Sequence, residues 1–339
     1  MIEPAVVAMG DPSRVGEARR LASTMAGRLG FDEPGAGRAA LIVTEAATNL
    51  VKHGGGGELL LAPIARGGVV GLEILALDKG PGMADVARCL ADGYSTAGSP
   101  GNGLGAISRL ATDFELYSAP GAGTALLARI WASPIPPASG QGLDVGAVSL
   151  PKSGEPASGD AWAMIEAHGR TSLLVVDGLG HGPQAALAAR EAVRVFGERD
   201  GLGPIEALKL IHAALRPTRG AVAAIAEVDP AARSIRYAGV GNIATSVLAD
   251  GSSQSLVSMN GTLGHEARRF QEFAYPWPPG AVITMQSDGL ATSWKLDRYA
   301  GLLGRDPSLV AGVLYRDFVR GRDDATVLVA RDMHTRGGR

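Results

Sequence analysis

Residues 133–142 read Ser-Pro-Ile-Pro-Pro-Ala-Ser-Gly-Gln-Gly, and neither a helix nor a central strand can run through them. Each proline lacks the amide proton that a helix or a sheet ladder needs, and the small residues that follow favour a loose backbone. The seam predicts a linker between two domains, residues 1–132 and 143–332, with 333–339 as a solvated tail. At 339 residues the chain is long enough for two cores. The net charge of -2 supplies no field for nucleic acid or for an anionic membrane. A single cysteine, Cys89, excludes an intrachain disulfide and a cysteine metal cluster, and reads as a small buried hydrophobe. The start, MIEPAVVAMGDPSR, lacks the basic and apolar regions of a signal peptide, and no apolar run approaches the ~18 residues of a membrane span. A cytoplasmic protein is expected.

In the first domain, Asp11-Pro12 suits the start of a helix running to residue 29, and a second helix is expected over 35–53. Strands are expected at 58–66, 69–77, 113–118 and 124–131, with a helix at 104–111. This order predicts an α+β sandwich with the helices on one sheet face. After the seam, strands are expected at 143–150, 161–167, 172–176, 221–228, 235–240, 245–248, 282–285 and 326–330. Helices at 183–197, 204–215 and 307–318 interrupt them, which predicts two sheets flanked by helices.

The first domain carries polar residues at helical spacing. Glu45, Asn49 and His53 recur every four residues and share one helix face. The Asn49 amide oxygen suits Mg²⁺, and Glu45, one turn earlier, can take a proton from an attacking hydroxyl. Asp78 ends an apolar strand and is followed by Gly80 and Gly82, offering an acceptor for an exocyclic amine with close backbone approach. Residues 93–105 form a glycine-rich loop opening into a helix, a natural phosphate cradle and lid.

Together these three segments, closed by Gly123-Thr124, resemble the N, G1 and G2 boxes of the GHKL (Bergerat-fold) ATPases. The run GYSTAG followed by GLG is similar to the RsbT-type switch kinases, relatives of the anti-sigma kinases. That resemblance implies ATP, with Asn49 on Mg²⁺, Glu45 as base, Asp78 on the adenine and Thr124 beside it. Gly98, Gly101, Gly103, Leu104 and Gly105 would hold phosphate, and His53, Gly80 and Gly82 would complete the nucleotide site. The P-loop pattern GxxxxGK[ST] is missing from the sequence.

The second domain is rich in carboxylates next to strands: Asp160, Asp177, Asp288, and Asp323 followed by Asp324. With the carbonyl of Gly178 they form a hard-oxygen set suited to Mg²⁺ or Mn²⁺, and two such ions can ready a water for attack on phosphorus. The runs SGDAW, VVDGLGHG, GVGNI, QSDGL and RGRDDATVLV resemble the PPM metal-dependent phosphatases, in their SpoIIE-like and RsbX-like bacterial branch. An α-β-β-α sandwich is implied, with Asp177 bridging two metals and with Gly178, Asp160, Asp288 and Asp323 completing the shell. Asp324 is the alternative to Asp323. His181 reads as a loop residue capping the following helix, with an acid role as the alternative, and Trp294 as a rim residue of the cleft.

The joint expectation is a bifunctional regulator of a partner-switching pathway. A serine/threonine kinase and a metal-dependent phosphatase would act on STAS-domain antagonist proteins, with a sigma factor or downstream phosphatase among the partners and a homodimer in view. The alternative is an ATP-dependent partner-binding module fused to an active phosphatase.

Overall fold

The computed structural model describes residues 2–90, 103–136, 142–198, 201–294 and 299–332. The chain divides into two compact units, Met1–Ala138 and Ser139–Arg339.

Unit 1 opens with strand β1 (Ala5–Ala8), helices α1 (Arg14–Arg28) and α2 (Glu33–Lys52), and strands β2 (Glu58–Arg66) and β3 (Val69–Asp78). Helices α3 (Val86–Leu90) and α4 (Gly103–Leu110) and strands β4 (Asp113–Ser118) and β5 (Thr124–Trp131) follow. The strands form one antiparallel sheet in the order β1-β2-β3-β5-β4. Alternation on the strands and a 3.6-residue stripe on the helices meet in one core. Ala18, Ala22 and Met25 of α1 and Ile42, Val43, Ala46 and Leu50 of α2 pack on Leu59, Leu61, Ile74, Leu126 and Ile130 of the sheet.

Two starts differ from expectation. Asp11 does not cap α1: its carboxylate accepts the N–H of Ser13 at 2.8 Å, closing a turn, and the helix begins at Arg14. Helix α2 begins at Glu33 rather than 35, because Asp32 accepts the N–H of Gly35 at 2.8 Å and Pro34 fits the first turn.

Unit 2 contains two five-stranded antiparallel sheets. Strands β7 (Asp160–Ala167), β8 (Arg170–Gly178), β9 (Ala221–Asp229), β10 (Ser234–Val240) and β13 (Phe273–Pro276) form the first, in the order β13-β10-β9-β8-β7. Strands β6 (Leu143–Leu150), β11 (Ala244–Ala249), β12 (Ser252–Ser255), β14 (Val282–Gln286) and β15 (Ala325–Asp332) form the second, in the order β12-β11-β14-β15-β6. Leu173, Val175, Ala224 and Tyr237 of one sheet meet Val247, Ile283, Met285 and Leu328 of the other around a fully buried Trp277. Helices α5 (Pro183–Gly197) and α6 (Pro204–Ala214) cover the first sheet's outer face through Ala188, Ala192, Leu208 and Ile211. Helix α7 (Pro307–Phe318) lies on β6 and β15 of the other sheet. The unit is therefore an α-β-β-α sandwich, and among the described residues no helix is long and apolar enough to cross a membrane. Cys89, expected in a core, is only half-buried on α3, where burial and Asp85 raise its thiol pKa.

Candidate functional site

In unit 1 the helix α2 carries Glu45 and Asn49 one turn apart, and the start of α4 is brought against them. A methyl group at Gly103 would lie 3.1 Å from Glu45 Oε2 and 3.4 Å from Asn49 Oδ1, so this junction tolerates backbone approach but little side chain. The Asn49 Nδ2 is buried and has no hydrogen-bond partner, so an oxygen-rich group entering here would satisfy it. Gly105 is buried, and Leu104 packs against the apolar core. His53 caps the C-terminal end of α2 through its backbone N–H and is exposed there. Gly98 and Gly101 lie outside the described residues.

At the end of β3, Asp78 is 8% exposed and its Oδ1 accepts the N–H of Gly80 at 2.8 Å and of Thr124 at 3.1 Å. Asp78, Gly80 and Thr124 are thus brought together by the β3–β5 pairing, in which Asp78 and Thr124 are register partners. Gly82 has φ 68°, a backbone region that disfavours other residues. Ser118, which sequence reasoning missed, ties this corner together. Its hydroxyl accepts the N–H of Met83 at 2.9 Å and lies 3.1 Å from the Thr124 hydroxyl. Its position opposite Thr124 is visible only once β4 and β5 are in register.

In unit 2, Asp160 opens β7 and Asp177 nears the end of β8, as register partners. Asp288 follows β14 and Asp323 precedes β15, so all four predicted carboxylates lie at strand ends. Burial first, then the charges of Asp160, Asp288, Asp323 and Asp324, pushes the Asp177 carboxyl up to about 9. Asp160 is pushed up to about 7, chiefly by burial, against a lowering hydrogen bond from Ser287. Gly178 must be a glycine: a Cβ there would lie 2.4 Å from the Ala185 carbonyl, where α5 closes over the strand end.

The neighbours that hold these acids were not among the predicted residues. Ser287 donates to Asp160 Oδ2 at 2.6 Å and accepts the N–H of Thr326 at 3.0 Å. Asn242 donates to Asp288 Oδ2 at 2.9 Å. Ser287, Asn242 and Thr326 stand inside the quoted runs, but neutral residues draw no notice beside carboxylates. The two adjacent aspartates separate clearly. Asp324 is 3% exposed, and its two oxygens accept the N–H of Lys152 at 2.8 Å and of Gly159 at 2.7 Å. Asp323 is half-exposed and accepts the N–H of Asp324 at 2.9 Å.

His181 does not cap α5. The N-cap is Gly182, with no side-chain cap, while the His181 ring reaches Glu155 and Lys152. Trp294 turns to Phe318, with ring centroids 5.9 Å apart, and donates to the Ala291 carbonyl.

Among the described residues no three His, Cys, Asp or Glu side chains gather tightly enough to hold an ion alone. The donor set suits a hard cation that keeps part of its water shell, as Mg²⁺ does. Two acids whose carboxyls are pushed up by burial and by neighbouring carboxylates mark a site short of positive charge.

The family profile described as a histidine kinase-like ATPase domain matches residues 9–130, and that of stage II sporulation protein E (SpoIIE) matches 167–332. The serine/threonine-protein kinase RsbT of Bacillus subtilis (strain 168) is 37% identical over 114 residues, covering 34% of this chain and 86% of RsbT. A solved structure described as the bacterial stressosome, a modular system adapted to control secondary messenger signaling, is 31% identical with a TM-score of 0.52. It covers 56% of this chain and 99% of its own. RsbX in complex with magnesium is 18% identical with a TM-score of 0.49, over 56% of this chain and 94% of that one. The chain belongs to the RsbT-like branch of the histidine kinase-like ATPases through its first unit and joins to it, in its second, a PPM phosphatase domain of the SpoIIE type.

Proposed function

We propose that this chain is a bifunctional regulator of a cytoplasmic partner-switching pathway. Unit 1 transfers the γ-phosphate of ATP to a serine or threonine of a STAS-domain antagonist, and unit 2 removes phosphate from phosphoserine or phosphothreonine on that protein or a sibling. The relatedness of unit 1 to a serine/threonine-protein kinase supports the first activity. The observation that carries the second is the face-to-face pair at the strand ends, a buried Asp160 opposite a half-buried Asp177.

In unit 1, Glu45 would accept the proton of the attacking hydroxyl, Asn49 would hold Mg²⁺, and Asp78 would read the adenine amine. In unit 2, Asp160, Asp177, Asp288, Asp323 and the Gly178 carbonyl would hold Mg²⁺ or Mn²⁺. Divalent cations bound there supply Lewis-acid activation of water and neutralise charge at phosphorus. Ser287 and Asn242 fix the orientations of Asp160 and Asp288, so the acids keep their places before substrate enters.

The test follows label from γ-labelled ATP onto a STAS protein and off again. Transfer that depends on Glu45, followed by Mn²⁺-dependent release that depends on Asp177, is the expected result. Tight capture of a sigma factor without any transfer would instead make unit 1 a binding module.

A further inference from the structure

We propose that Lys152 is the side chain that binds the substrate's phosphate oxygens in unit 2, and that Glu155 and His181 hold it ready. The inference rests on the phosphatase reading of that unit and names a residue for its substrate step.

Lys152 is tied to the floor of the carboxylate site through its backbone. Asp324 accepts the N–H of Lys152 with one oxygen and that of Gly159 with the other, and Gly159 precedes Asp160. The strand end that carries Asp160 and the loop that carries Lys152 are therefore held to the same carboxylate. The side chain is fixed separately. Its Nζ lies 3.2 Å from His181 Nε2, and His181 Nδ1 lies 2.6 Å from Glu155 Oε1. An ammonium has only donors, so Nε2 is the acceptor and Nδ1 carries the proton toward Glu155. Glu155 thus sets the tautomer, and the tautomer sets where the ammonium points. His181 itself sits three residues beyond Gly178, between glycines at φ 85° and 75°, in the loop leaving the Asp177 strand.

Among the described residues the Lys152 side chain meets His181 and no carboxylate. Its ammonium rests on a ring nitrogen, a weak partner that gives way to a phosphate oxygen with little loss. A carboxylate partner would hold it far more strongly and would have to be displaced. His181 and Glu155 touch no reacting group and act as positioning residues.

The test uses the full chain with Mn²⁺, a phosphoserine peptide and inorganic phosphate. Lys152→Met should raise KM for the peptide about tenfold, with kcat changed far less, and weaken phosphate binding by calorimetry to the same degree. Lys152→Arg should recover much of both. His181→Asn, which keeps a donor toward Glu155 but removes Nε2, should fall between wild type and Lys152→Met. Unchanged KM and phosphate affinity in Lys152→Met overturns the proposal, as does a changed Mn²⁺ requirement in place of a changed phosphate affinity. Should Lys152→Met fail to fold, the phosphate affinity of His181→Asn decides by the same standard. Absence of Mn²⁺-dependent hydrolysis in the wild-type chain would instead sink the phosphatase reading, and direct phosphate binding still tests Lys152 in that case.

Discussion

Asp160 and Asp177 face each other across β7 and β8 as register partners, two carboxyls at the buried end of one strand pair. Side chains directly opposite on antiparallel strands stand ~4.5–5.5 Å apart at Cβ, and like charges there repel. A fold that places acids this way is organised around something that removes their charge.

Asp177→Asn should abolish Mn²⁺-dependent phosphoester hydrolysis while making the metal-free protein more stable at pH 8. The amide keeps the shape and is buried without taking up a proton, so Tm should rise by ~2–4 °C for each kcal/mol relieved. Calorimetry with chelator present checks this, and a lower Tm in the variant would contradict the electrostatic reading.

Metal-free protein should lose stability as pH rises from 6 to 9. The folded carboxyls of Asp160 and Asp177 titrate near 7 and 9, against 3.8 for the ordinary group, so the folded state keeps protons that the unfolded state has released. Stability is then greatest at the low end of this window and falls by at most ~1.4 kcal/mol per pH unit for each retained proton. Saturating Mn²⁺ should flatten the slope. Urea midpoints at three pH values, with and without metal, measure both.

Glu45→Ala should leave nucleotide binding intact and reduce phosphoryl transfer by roughly 10²-fold or more, the usual scale for a lost general base. Gly103→Ala should act through binding instead, because its methyl would crowd Glu45 and Asn49 at 3.1 and 3.4 Å. Titration with a fluorescent ATP analogue separates the two. Equal loss of binding in both variants would count against Glu45 as the base.

The neighbouring acids of the last motif should part company. Asp324→Ala strips the acceptors from two backbone amides and should lower stability by ~2–4 kcal/mol. Asp323→Ala should leave the unfolding free energy within ~0.5 kcal/mol of wild type and weaken Mn²⁺ activation. Chemical denaturation and metal titration of both variants provide the comparison.

Much of this was legible in the sequence because apolar periodicity announces buried elements. Strands β2, β4, β5 and β6 and helices α5 and α7 occupy the expected residues. Three strands escaped for physical reasons. Ser-Ser-Gln-Ser in β12 is exposed throughout, Phe-Ala-Tyr-Pro in β13 ends in proline, and β1 is four residues at a sheet edge. None shows a periodicity long enough to detect. In the sites, the carboxylates were readable from their chemistry, whereas Ser118, Asn242 and Ser287 matter only through contacts made by distant strands. The His181 ring misled for a related reason: its partners Glu155 and Lys152 are 26 and 29 positions away.

Strand β15 pairs with β6 along its whole length, from Ala325 opposite Leu150 to Asp332 opposite Leu143, and so joins the unit's last strand to its first. A ribosome must release that final segment before the second sheet can close or Asp323 and Asp324 can reach their places. The second unit's sheets are therefore complete only once residue 332 has emerged, whereas the first unit, whose sheet closes with β5, has all its strands about two hundred residues earlier.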